Sequence, residues 1–317
     1  MKRKIRILPT AVLALIPGFM TAQAQAPSKV LTVEPLADGV WQAETDQEVN
    51  AGWFLLGDAV VAVDCGPDEA AGKAILQKIA ETAHKPVRFL IITHAHADHA
   101  GGVAPFVAAG ATVICQENAA TGIGQLIATE SKSLSGLMAV FDGLGFVGGS
   151  RRVAIYYMGA AHSRGDLVVF LPDDKVLFTG DVVSTKKIPY MQSPDVDPSG
   201  WERILSRLTQ IDADRIAPGH GPSGKKESIL STLAYVHKVN QLALQMIADD
   251  VPDALVEAKI KFKEDASIVN DALIGNVRAA MAAEKAKEAA RTPTPGGGPA
   301  KTPAAPARTP TPASKKK

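Results

Sequence analysis

Residues 88–99 read RFLIITHAHADH. An apolar run of strand-like composition passes directly into three imidazoles and a carboxylate, His94, His96, Asp98 and His99. So dense a polar set cannot sit in an ordinary core, because buried polar and charged groups cost free energy unless paired. A strand end entering a tight loop aims alternate side chains at one point. Imidazole and carboxylate are the groups that zinc and other transition metals take. The fold must therefore bring further donors to this loop.

Three later motifs supply them. Gly159-Ala160-Ala161-His162-Ser163-Arg164-Gly165-Asp166 precedes the apolar run LVVFLP. Phe178-Thr179-Gly180-Asp181 and Ala217-Pro218-Gly219-His220-Gly221 each close a short strand-like stretch. Small residues flank each donor, so the loops can bend and approach one another. Five of the seven histidines fall in these motifs; His84 and His237 lie in helical segments without ligand spacing. The four motifs together point to a metal site, although His162 or His220 alone would read as structural and Asp181 alone as a turn-capping carboxylate.

The intervening sequence alternates strand and helix. Turn signals at Asp38-Gly39 and Gly57-Asp58 separate short apolar runs between Val30 and Cys65. Helical spacing is predicted over 68–83, 101–109, 199–211, 225–249 and 252–291, the last broken near 267–269. Strands are predicted at 87–93, 111–115, 152–158, 166–171, 175–179 and 214–217, and residues 116–150 begin helical and become Gly-rich. This is an α/β chain whose chemistry lies at strand ends.

The ends differ from the body. Residues 1–24 place four basic residues before an apolar stretch and small residues, the pattern of a signal peptide cleaved after Ala24; an uncleaved anchor is the alternative. The protein is expected to be exported to a bacterial periplasm or secreted, with no membrane span after cleavage. Residues 291–317 hold six basic residues and no acid in a Pro/Ala/Thr/Lys-rich tail, expected to be disordered, either solvated or a basic tether. The rest carries 24 basic against 33 acidic residues, a net −9 that argues against nucleic acid as a partner. Cys65 and Cys115 could pair in an oxidising compartment, but free buried thiols are favoured.

On these motifs the chain resembles the metallo-β-lactamase-fold hydrolases from about Val30 to His237. The resemblance implies a four-layer αβ/βα sandwich at 25–240, followed by C-terminal helices at 241–290. It implies two zinc ions per chain, with iron an alternative. His94, His96 and His162 match the ligands of one metal, Asp98, His99 and His220 those of the second, and Asp181 the bridging carboxylate. Asp64 matches a residue that supports the metal loop; a capping role is its alternative. True zinc β-lactamases carry Cys or Ser where this chain has Asp181, and that Asp resembles glyoxalase II-like thioesterases and lactonases. GDVVSTKKIPY and GWERILSRL resemble exported lactamase-like hydrolases linked to quinoprotein or sulfur oxidation.

The expected activity is hydrolysis of a small-molecule lactam, lactone, ester or thioester, by a metal-bridging hydroxide that Asp98 orients. Two zinc ions, Asp98, Asp181 and one hydroxide leave the site near +1, favourable to an anion. Lys186 and Lys187 are expected to bind a substrate carboxylate or to be merely solvated. Tyr190, Met191 and Trp201 are expected at the pocket, Trp201 more by packing. An iron-dependent sulfur dioxygenase of the same fold and a non-enzymatic accessory protein of a periplasmic oxidation system are the alternatives. Oligomeric state is not legible.

Overall fold

The computed structural model describes residues 30–130, 137–264 and 269–291. The expected signal segment lies outside them, as does the expected tail apart from Arg291, which ends the last helix. Among the described residues no helix is long and apolar enough to cross a membrane.

Seven strands form the first sheet in chain order: β1 (Val30–Ala37), β2 (Val40–Thr45), β3 (Asn50–Leu56), β4 (Ala59–Val63), β5 (Val87–Ile91), β6 (Thr112–Gln116) and β7 (Leu137–Val140). The first four pair antiparallel through the predicted turns, and β4 to β7 pair in parallel. Parallel neighbours need crossovers, and α1 (Glu69–Ala83), α3 (Val103–Ala108) and α4 (Glu117–Glu130) lie on them. The second sheet runs β12-β11-β10-β9-β8, from β8 (Gly143–Gly148), β9 (Arg151–Tyr157), β10 (Leu167–Leu171), β11 (Val176–Ser184) and β12 (Arg215–His220). Only its β11–β12 pair is parallel, with α5 (Pro198–Leu208) on the crossover.

Side chains alternate across each strand, and the alternation fills three cores. Val61 and Val63 of β4 meet Leu167, Val169 and Phe178 between the sheets. Val60 and Ala62 face outward under Ile75 and Ile79 of α1 and Phe106 of α3. On the other side Val168, Leu177 and Ile216 face α5, α6 (Lys226–Ala248), α7 (Asp253–Lys263) and α8 (Asp271–Arg291). The result is helices, sheet, sheet, helices, as the resemblance implied. Cap residues set the helix starts: Asp68 accepts from Ala71 N at 2.8 Å, and Asp197 from Gly200 N at 2.9 Å.

Some expected boundaries shift, and other expectations hold. The boundary expected at residue 240 falls inside α6, and Val236, Val239, Ala243 and Met246 on both sides of it share one core with α8. The C-terminal helices are thus part of the outer layer of the sandwich. Residues 97–100 form a short helix, α2 (Ala97–Ala100), rather than a bare loop. The Gly-rich stretch yields β7 and β8. The break between α7 and α8 is present, though 265–268 lie outside the described residues. Cys65 and Cys115 are free and buried in one core. Burial raises both thiols, Cys115 to about 12, so neither is a ready nucleophile.

Candidate metal centre

The donors sit at one end of the two sheets. Asp64 follows β4 with a left-handed backbone (φ 58°). His94 and His96 follow β5, and α2 carries Asp98 and His99. From the second sheet come His162, between β9 and β10, Asp181 in β11 and His220 at the end of β12. Asp181 and His220 thus lie within strands that the sequence reading ended at 179 and 217. The β11–β12 pairing is irregular on both sides of Gly180. Gly180 has φ +49°, and a Cβ there would lie 2.6 Å from Thr93 Oγ1, so only glycine lets β11 pass so close to the β5 loop.

The hydrogen bonds fix which nitrogen of each imidazole faces inward. His99 Nδ1 donates to Asp64 Oδ2 at 2.9 Å, His162 Nδ1 to the Tyr190 carbonyl at 3.1 Å and His220 Nδ1 to the Glu48 carbonyl at 2.8 Å. His94 Nδ1 lies 3.0 Å from Thr93 Oγ1, whose hydroxyl donates to Asp64 Oδ2 at 2.8 Å. In their neutral forms these four rings present an unprotonated Nε2 to the centre. His96 is reversed: its Nε2 faces Ser193 Oγ at 3.4 Å and Asp195 Oδ1 at 3.8 Å, while its Nδ1 lies 2.9 Å from His162 Nε2. Such outer partners orient metal-binding rings and set their tautomers.

The inward atoms converge. Within each of three groups, His94/His96/His162, His94/His99/Asp181 and Asp98/His99/His220, one ligand atom per residue lies within 4.8 Å of the others. Asp181 touches both halves, with Oδ1 3.2 Å from His99 Nε2 and Oδ2 3.4 Å from both His162 Nε2 and His220 Nε2. Asp98 Oδ2 lies 3.2 Å from His220 Nε2.

The donor set fits bound cations. His94 Nε2 and Asp181 Oδ1 are buried without an aligned hydrogen-bond partner, a costly state that a cation relieves. Two imidazole nitrogens 2.9 Å apart, His96 Nδ1 and His162 Nε2, need a proton or a metal between them. The protonation tendencies divide the centre. Burial holds His94 well below its ordinary value and His162 down to about 4, so both rings are neutral, the form a metal takes. Burial also opposes charge on His99 and His220, but Asp181 with Asp64 outweighs it for His99, and Asp181 with Asp98 carries His220 to about 10. A metal here displaces protons.

Residues that are not donors hold the centre in place. Asn50 Nδ2 donates to the carbonyls of Pro218 (2.9 Å) and Gly221 (2.7 Å), pinning the His220 loop from the first sheet. Buried Asp166 accepts from the backbone of Ala161 and Ser163, at 3.0 and 2.8 Å, and so clamps both neighbours of His162. Its place four residues after His162 was the only sequence signal; Asn50 and the Glu48 and Tyr190 carbonyls gave none. Asp64 accepts from Thr93 N (2.7 Å), Thr93 Oγ1 (2.8 Å) and His99 Nδ1 (2.9 Å), tying the β4 end to the His94 and His99 rings.

An open cleft of about 650 Å³ lies over the centre, lined by His96, Asp98, His162, Asp181 and His220 with Glu48, Lys187, Ile188, Tyr190 and Gln192. Lys187 and Tyr190 are therefore at the cleft, Lys187 paired with Glu48 at its rim. Lys186 is not: it is an exposed turn residue with φ 56°, outside the lining. Met191 and Trp201 are core residues. Trp201 donates to the Val182 carbonyl at 2.8 Å, and its ring stands edge-on to His162, with centroids 5.4 Å apart. His84 ends α1 and His237 pairs with Glu202, both apart from the metal groups.

A His/Asp metal centre at the rim between two sheets of an αβ/βα sandwich defines a class of metalloproteins. Residues 45–220 match the profile of the Metallo-beta-lactamase superfamily, and the chain belongs to that family. It is 30% identical over 204 residues to the 2,4-dinitroanisole O-demethylase subunit alpha of Nocardioides sp. (strain JS1661), covering 60% of this chain and 57% of that one. The match thus spans less than two thirds of that relative's length. It is 29% identical over 179 residues to the Metallo-beta-lactamase type 2 of Bacillus sp. (strain 170), covering 55% of this chain and 67% of that one. The solved metallo-beta-lactamase FIM-1 from Pseudomonas aeruginosa, in its mono-zinc form, superposes with TM-score 0.58 at 23% identity, over 68% of this chain and 98% of that one. The metallo-beta-lactamase from Pontibacter korlensis gives TM-score 0.56 at 24% identity, over 65% and 98%. These structures share the fold.

Proposed function

We propose that the chain is an exported, zinc-dependent hydrolase that holds two metal ions and cleaves a small carbonyl substrate, a lactam, lactone, ester or thioester. One observation carries the reading: five imidazoles, each with its outer nitrogen occupied, turn their other nitrogen toward two carboxylates at the base of an open cleft. His94, His96 and His162 would hold one ion, Asp98, His99 and His220 the other, and Asp181 both. Zinc bound there supplies Lewis acidity, making hydroxide available near neutral pH and polarising a carbonyl. Asp98, half-exposed at the cleft floor, accepts a proton from the attacking water at its free oxygen and returns it to the leaving group. Lys187 exchanges Glu48 for a substrate carboxylate, and Tyr190 presents its exposed ring to the same substrate. The acidic body and the amino-terminal pattern support a small-molecule substrate met outside the cytoplasm.

The test is metal analysis of the mature protein, then turnover of nitrocefin, an acyl-homoserine lactone, S-lactoylglutathione and an aryl ester after zinc loading. The demethylase relative adds 2,4-dinitroanisole to the panel. Two zinc ions per chain and hydrolysis of one class are expected, with Asp98→Asn lowering kcat by about 10²–10⁴-fold. One iron per chain with oxygen consumption on a persulfide would replace this reading with the dioxygenase one. A metal-loaded protein inert in every assay would leave the accessory role.

A further inference from the structure

Helix α8 lies outside the matched family region, yet it grips the segment that supports His162 at two points. Asn276 on α8 is buried, at 1% exposure, between the cleft loop and α6. Its Nδ2 donates to the Pro189 carbonyl at 2.8 Å and to Tyr235 Oη at 3.0 Å, and its Oδ1 accepts from Met191 N at 3.2 Å. The amide thus grips the backbone on both sides of Tyr190, whose carbonyl holds His162 Nδ1. Three turns further on, Lys287 Nζ pairs with Asp197 and donates to Ser199 Oγ at 2.7 Å. The backbone N–H of Asp197 donates to the Ala161 carbonyl at 2.8 Å, immediately before His162. Both contacts of α8 therefore end on one imidazole, one through its hydrogen-bond acceptor and one through its preceding residue.

The loop between these grips is also the wall of the cleft. Ile188, Tyr190, Gln192, Ser193 and Pro194 line it, and Ser193 and Asp195 face His96 Nε2. A free loop of this length would let the Tyr190 carbonyl drift and His162 change tautomer, putting a proton on the nitrogen that faces the centre. An Asn buried to this degree, with its capacity spent on loop backbone, the Gln192 amide at 3.5 Å and one tyrosine, is costly to place for packing alone.

We propose that α8 is a positioning element of the metal centre. Asn276 is its main positioning residue and Lys287 the second, together fixing the His162 tautomer and the 188–195 cleft wall. This rests on the reading of the site as a metal centre. The test uses the full chain, stripped of metal and titrated with Co²⁺ and with Zn²⁺ against a chromogenic chelator, with circular dichroism to check folding. Asn276→Leu keeps the volume and removes the grip; Lys287→Met removes the second contact. Tyr235→Phe removes the one partner of Asn276 that is not on the loop and is the control.

Asn276→Leu is expected to weaken the tighter metal step by about 10–100-fold and to alter the Co²⁺ visible absorption. Lys287→Met should do so by a smaller factor, and Tyr235→Phe, which spares every loop contact of Asn276, should weaken binding less than Asn276→Leu does. Folded Asn276→Leu and Lys287→Met proteins that both bind like the parent overturn the inference while leaving the metal reading intact. If Asn276→Leu does not fold, Lys287→Met decides by the same criterion. A parent chain that takes up no metal overturns the metal reading and this inference with it.

Discussion

At the scale of single residues, the centre is a problem of tautomers. An imidazole binds a metal through one nitrogen only if the other holds the proton, and here an acceptor near each ring decides which. Asp64 shows the consequence most directly. It accepts from His99 Nδ1 and from Thr93, which in turn faces His94. Asp64→Asn would turn an amide N–H toward one of these donors and drive the His99 proton to Nε2. Metal affinity should fall by about 10–100-fold, read by chelator competition, with the fold retained; unchanged affinity would show that Asp64 is only a turn residue. A second prediction concerns protons. Metal-free His220 is raised to about 10 and His99 is also raised, so this acid-flanked pair retains proton charge at neutral pH. Metal binding needs both rings neutral, so loading at pH 7 should release protons, and affinity should rise with pH. Calorimetric titration in two buffers of different ionisation heat measures this directly. A zero proton count would mean that the rings are already neutral.

At the scale of elements, what could be read from sequence depended on whether a side chain advertises its role. The donors stand in short motifs at strand ends, and the elements between them follow their apolar periodicity, so most strands and helices were legible. The supports were not. A backbone carbonyl such as that of Glu48 or Tyr190 has no residue type to betray it, and Asn50 reaches across from the other sheet. Gly180 reads as a terminator, though it is a close-contact point inside β11. Asp166 was on view in its motif without its function. It holds the His162 loop while fully buried, and burial raises its carboxyl to about 7 against the backbone N–H groups that favour charge. The sign of its effect follows. The unfolded chain ionises this group near ~4, the folded chain only near 7, so its contribution is complete below ~4 and is lost as pH rises to about 7. Asp166→Asn can still accept from Ala161 and Ser163 but cannot ionise. Thermal unfolding of metal-free parent and variant from pH 4 to 8 should show the variant gaining on the parent up to about pH 7 and running parallel above it. A constant difference would mean that Asp166 is already charged throughout.

At the scale of the whole molecule, the two sheets are joined at opposite ends by different chemistry. At one end the donors come from both, His94, His96, Asp98 and His99 from the first sheet and His162, Asp181 and His220 from the second, so metal binding is also a bond between layers. At the other end stands Arg151, the first residue of β9. Its guanidinium forms a two-point pair with Asp174 in the β10–β11 turn, at 2.6 and 2.8 Å. The same group donates to the Leu55 carbonyl of β3 at 2.5 Å and to the Asp38 carbonyl of the β1–β2 turn at 2.7 Å. Arg151 and Asp174 are largely buried, with side chains 15% and 13% exposed, so solvent screens the pair little. Only a planar fork of donors meets a carboxylate and two carbonyls at once, so lysine cannot replace it. Arg151→Met keeps the apolar stem, strands a part-buried carboxylate and frees the carbonyls it held. It should cost about 1–3 kcal/mol in urea unfolding, the range for losing charge-assisted hydrogen bonds. Because this clasp and the metal centre share no partner, the loss should be the same with and without metal. Turnover and metal affinity should be unchanged. A loss well below 1 kcal/mol would reduce the clasp to a surface pair, and one that changes on metal loading would mean that the two ends of the sandwich communicate through the inter-sheet core.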